Sequence, residues 1–142
     1  VVNNKEVLIM ASMSNITVAS SATSTFTWAS KTPAGNDLPA RWAAPVFGAT
    51  SRVGDAKLAY KYKRNQADTA DRFDVNIMLP EVCNGGVNCS PEQVVGKATC
   101  SLTLTLPDTL KTTDRAKAVE IILNTIASAE FMASIKAGES FY

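Results

Sequence analysis

The sequence predicts an α+β fold, an antiparallel sheet that runs directly into two helices. Two observations carry the prediction. Between Lys57 and Leu106, three runs alternate apolar and polar residues with the period of two that a half-buried strand requires. From Thr113 onward the apolar residues recur at spacings of three and four, the mark of an amphipathic helix. A sheet made this way has one greasy face for helices to cover and one polar, partly cationic face that could hold an acidic polymer.

The N-terminal third is rich in Thr, Ser, Val and Ala and reads as short strands over about Val7–Ser12, Ile16–Ser20 and Ser24–Ala29. Thr25, Thr27 and Ala29 lie opposite Phe26 and Trp28, and both tryptophans, Trp28 and Trp42, are read as packing residues. Three prolines and a glycine between Lys31 and Pro45 predict turn and sheet edge, with one strand near Arg41–Gly48. In the next run Leu58, Tyr60 and Tyr62 share one face, and Lys57, Ala59, Lys61 and Lys63 share the other. A polar turn leads to RFDVNIML, where Phe73, Val75, Ile77 and Leu79 oppose Arg72, Asp74, Asn76 and Met78; the two runs make a hairpin. After a loop that contains Pro80, the run Lys97–Leu106 turns Ala98, Cys100, Leu102, Leu104 and Leu106 inward and Thr99, Ser101, Thr103 and Thr105 outward, and Pro107 should stop it.

Thr113 is read as the cap of the first helix, with Asp114 at its positive end and Val119, Ile122, Leu123 and Ile126 along its stripe. This helix should cover the greasy sheet face. A second helix from Ser128 or Ala129 to Ala137 buries Phe131, Met132 and Ile135 and ends at Gly138. So short a pair leaves apolar surface uncovered, and a homodimer is the simplest way to cover it.

With 142 residues, 46% of them hydrophobic and 19% charged, residues 1–142 are expected to form a single domain. The formal net charge is only +1, so any attraction to phosphate must come from local clustering. There is no histidine, which removes the usual general base, the paired nucleophiles and the commonest metal ligand together. Asp74, Glu81 and Glu92 show no paired spacing, and a zinc site would want about four clustered ligands. No catalytic residue, metal or cofactor is expected. No stretch approaches about eighteen uninterrupted apolar residues and no basic segment precedes an apolar run, so neither a signal peptide nor a membrane partner is expected. The start at Val1 leaves a processed precursor open.

Clustering does occur. Lys57, Lys61, Lys63 and Arg72 share a strand face with Asn76, Thr99, Ser101 and Thr103, so cations able to neutralise phosphate lie beside short side chains able to contact sugars and base edges. The plainer reading is a solvated face kept charged for solubility, its threonines chosen for β-propensity. Beside the plain option of two unpaired thiols, a liability when exposed, the cysteines have two readings. In CNGGVNC, Cys83 and Cys89 either close a disulfide within the loop, which Gly85 and Gly86 would permit, or display two thiols for bridging to other subunits. Spacing does not choose between them, whereas Cys100 alternates with leucines and reads as core.

Taken together, the strand RFDVNIML, the Pro80 loop with its two cysteines, the threonine-rich strand, the TTDR helix start and the aromatic Tyr142 resemble the C-terminal half of a single-stranded RNA bacteriophage coat protein of the levivirus type. The resemblance covers about residues 57–142, and the N-terminal part only by order of elements. It implies an N-terminal β-hairpin, a five-stranded antiparallel sheet and two C-terminal helices, in an interlocked homodimer whose sheets join edge to edge. It further implies that dimers assemble into an icosahedral capsid in the host bacterial cytoplasm and enclose genomic RNA in the virion. A stem-loop operator would lie on the inner sheet face, for translational repression and packaging. Carried over by position, the RNA-binding residues are Lys57, Lys61, Lys63, Arg72, Asp74, Asn76, Thr99, Ser101 and Thr103, and Cys83 and Cys89 would form intersubunit disulfides. The family often carries an aromatic where Thr99 stands, so no stacked base is expected there, and Asp74 weakens the phosphate field. The rival readings are an RNA-binding module that does not assemble and a secreted adhesin or pilin-like subunit.

Overall fold

A computed structural model describes residues 13–21, 23–35, 38–45, 54–83, 88–90 and 93–140. Among them are six strands, β1 (Ile16–Ala19), β2 (Thr25–Thr32), β3 (Ala40–Pro45), β4 (Asp55–Arg64), β5 (Ala70–Val82) and β6 (Val94–Pro107). Two helices follow, α1 (Thr112–Ile126) and α2 (Ala129–Ala137). The strands lie in sequence order in one sheet, and the registers from β1 to β4 are antiparallel throughout. The expected strand at Val7–Ser12 lies outside the described residues, as do the far end of Arg41–Gly48, Gly85, Gly86 and Tyr142.

Two compact units divide the chain: Val1–Lys63 with Arg72–Leu104, and Arg64–Asp71 with Thr105–Tyr142. In the first, register follows from the alternation. Ile16 and Val18 oppose Trp28 and Phe26, Trp42 opposes Leu58, and Ala44 opposes Ala56, so the apolar sets fall on one side. Buried Trp28, Ala44 and Ala56 form the core, with Phe26, Trp42, Leu58 and Ile77 packed against it. Phe26 meets Trp28 edge to face at 5.0 Å, a favourable geometry for the ring quadrupoles. The packing role expected of both tryptophans is therefore seen. Tyr62 and Phe73 stack at a tilt, 5.3 Å between centroids, yet Tyr62 stays 51% exposed: the greasy face exists, and a single chain covers it incompletely.

The second unit is tied by ions. Arg64 donates to Asp68 Oδ1 at 2.8 Å, Asp71 Oδ1 at 2.9 Å and Asp108 Oδ2 at 2.6 Å, and Arg115 on α1 donates to Asp71 Oδ2 at 2.6 Å. Asn65 Oδ1 accepts from the amides of Thr69 and Ala70, which shapes the turn between β4 and β5. The helices are α1 and α2 as expected, apart from the first cap. Lys111, extended at φ −63° and ψ 152°, is the N-cap and Thr113 lies inside the helix, because the Lys111 carbonyl already accepts from Arg115 N at 2.8 Å. Ser128 caps α2 by accepting from the Phe131 amide, and Gly138 ends it in the left-handed region at φ 69°.

Three further expectations are corrected. Pro80 lies inside β5 rather than in a loop; it is fully buried, and a residue without an N–H asks for no donor bond there. β6 ends at Pro107, as expected. Cys100 is exposed, not core, since β6 ends the strand order and has no described neighbour on its outer edge. Neither helix buries a residue: Ile122, Phe131 and Met132 are exposed, and Ile135 is 72% exposed, so the burial expected of them is not made within one chain. By length and composition Thr112–Ala137 could also cross a membrane, but the Ser128 cap breaks it into two helices.

Candidate nucleic-acid interface

Directly opposed residues of an antiparallel pair share a face. Ala43 opposes Lys57 and Arg41 opposes Ala59, so Arg41 joins the polar side of β4 together with Lys61 and Lys63. On β5 and β6 the same side is laced by hydrogen bonds: Thr103 Oγ1 donates to Asp74 Oδ1 at 2.9 Å and Ser101 Oγ donates to Asn76 Oδ1 at 2.8 Å. Arg72 Nε reaches Asp74 Oδ1 at 3.0 Å. The expected residues are thus brought together as one surface.

Two hollows record this. One of about 340 Å³ is lined by Lys61, Arg72, Asp74, Asn76 and Thr103, and another of about 230 Å³ by Lys57, Asn76, Thr99 and Ser101. Lys63 lines neither, but its charge acts on Asp74. The Thr103 hydroxyl first, then the Arg72 guanidinium, hold the Asp74 carboxyl below its ordinary value of 3.8, so it is ionised at neutral pH. A third hollow, about 300 Å³, lies over β2–β4 and is lined by Lys31, Thr32, Arg41, Ala43, Lys57 and Ala59. Ala59 lines all three, because its small side chain leaves room between the lysines. Lys31 and Arg41 were not among the residues expected from the sequence. Their strands lie in a proline-rich stretch with weak alternation, and only the register reveals which way they face.

No protein-family model matches the sequence, and no curated protein matches it either. Solved structures do. The virus-like particle of bacteriophage NT-214 aligns with a TM-score of 0.77 at 15% identity, over 93% of this chain and 100% of that one. The virus-like particle of Beihai levi-like virus 21 gives 0.76 at 14% identity over 92% and 98%, and the protein capsid of bacteriophage GA gives 0.73 at 17% over 91% and 97%. The fold is that of the single-stranded RNA phage coat proteins. At such low identity the coat-protein fold is carried by pattern, the alternation of strands and the spacing of helices, rather than by shared residues.

Cys83 and Cys89 are bonded to each other within the chain, with Cα atoms 6.2 Å apart. The two cysteines stand six positions apart in the sequence, and Cys83 N donates to Gln93 O at 2.8 Å. Of the two arrangements the spacing left open, this is the closed loop.

Proposed function

We propose that this chain is the structural coat protein of an RNA bacteriophage, a single coat-protein domain whose dimers assemble into an icosahedral capsid around genomic RNA. The coat-protein fold over more than nine tenths of the chain is the observation that carries the reading. The exposed apolar side chains of α1 and α2 supply a surface for a second subunit, and β6 supplies an open sheet edge. RNA lies on the polar face, where Lys57, Lys61, Lys63 and Arg72 supply charge and Asp74, Asn76, Thr99, Ser101 and Thr103 supply short polar contacts. A stem-loop operator held there serves translational repression and packaging. The protein acts in the virion, after assembly in the bacterial cytoplasm, and does no catalysis.

Negative-stain microscopy of the protein expressed alone tests the reading, followed by nucleic-acid absorbance of the purified material. Closed shells containing RNA are expected; a lone subunit free of RNA would end the proposal. The intrachain Cys83–Cys89 bond is the one observation that also suits a secreted adhesin-like subunit. Such a subunit would carry no RNA, so the same absorbance measurement separates the two.

A further inference from the structure

The polar face is electrically two-sided. Over β5 and β6 its one arginine, Arg72, is paired with Asp74 at 3.0 Å, and the Thr103 and Ser101 hydroxyls are turned toward Asp74 and Asn76. Over β2–β4 the picture reverses. The hollow there is lined by Lys31, Arg41 and Lys57 and by no carboxylate, and none of the ion pairs among the described residues involves these three. The register explains how they meet. Pairing between β2 and β3 shifts between Ser30 and Thr32, a bulge that adds one residue, so the consecutive Lys31 and Thr32 both line the hollow while Thr32 opposes Arg41.

We infer that the phosphates of bound RNA run across β2–β4, held by Lys31, Arg41, Lys57 and Lys61, while the Arg72–Asp74 pair cancels the arginine's charge and leaves the part of β5–β6 around Asp74, Asn76, Ser101 and Thr103 to sugars and bases. This rests on the RNA-coat reading above and assigns two phosphate ligands, Lys31 and Arg41, outside the set the resemblance pointed to. Phosphate contacts are the salt-dependent part of binding, and base and sugar contacts are not. The division is therefore measurable.

The probe is an unstructured uridine 20-mer, titrated over a range of salt against RNA-stripped protein held before shell closure, because a closed shell would hide the inner face. Each variant is first shown by size exclusion to keep the wild-type assembly state. Lys31→Gln and Arg41→Gln, which keep an aliphatic stem and remove charge, should each weaken binding several-fold at low salt and flatten the log–log salt slope by about 0.7. Asp74→Asn should tighten binding and steepen the slope, because it releases Arg72. Lys117→Gln on α1 is the charge-matched control and should match wild type. Photo-crosslinking of 4-thiouridine RNA supplies a second readout, with adducts expected on peptides spanning 31–45 and 57–61. Wild-type slopes for both Lys31→Gln and Arg41→Gln, with RNA still bound, overturn this inference alone. No binding by the wild type at all overturns the RNA reading with it, as does equal competition by polyglutamate.

Discussion

Arg64 joins three carboxylates and thereby fixes the turn between β4 and β5. Its own proton is held more firmly than usual by Asp108, Asp68 and Asp71, and in return the Arg64 guanidinium holds the Asp108 carboxyl below its ordinary value of 3.8. A carboxyl depressed on folding binds its proton less readily in the folded chain, so its stabilisation is complete at neutral pH and is lost as pH falls through the depressed value. Thermal unfolding of wild type and Arg64→Gln should therefore differ fully at pH 6 and converge below about pH 4. A gap that stays constant down to pH 2 would show that Asp108 is not the partner that matters. In the core, Trp28→Ala removes a 6%-exposed ring in contact with Phe26 and should cost about 3–5 kcal/mol in urea unfolding.

At the scale of elements, the ends of α2 are the most local test of how sequence sets structure. Gly138 is left-handed, and a Cβ there would meet nothing within 4 Å, so Gly138→Ala should cost only the backbone strain, about 1–2 kcal/mol. Ser128→Ala should cost about 1 kcal/mol through the lost cap. Both are read from urea midpoints, and an unchanged midpoint would place the end of α2 elsewhere. These caps were legible because Ser and Gly act on their own neighbours. The long strands were legible for a similar reason, since alternation in Leu58–Tyr62 or Phe73–Leu79 needs no knowledge of the partner strand. What failed depended on position in the sheet: Cys100 has the pattern of a core residue, yet it sits on the strand that ends the order. Thr113 failed otherwise, because the carbonyl of Lys111 started the helix two residues early.

For the molecule as a whole, the polar face could be read strand by strand on β4–β6, whereas its extension through Arg41 and Lys31 required the register and a bulge. Net charge gave no hint of it, because Asp74 cancels Arg72 locally while Lys31, Arg41 and Lys57 stand together. On a non-reducing gel the closed Cys83–Cys89 loop should give a single subunit band, and a ladder of multiples would require exchange between chains. Replacing an exposed helical side chain, as in Phe131→Asp, should abolish shells by light scattering while leaving the sheet's circular dichroism in place. The bare helices have one more result. Because no residue of α1 or α2 is fully buried in one chain, the proposed dimer would supply much of their share of the folding free energy, and that share follows mass action. The melting midpoint should then climb with total protein, dilution should act as a denaturant, and renaturation should follow second-order kinetics.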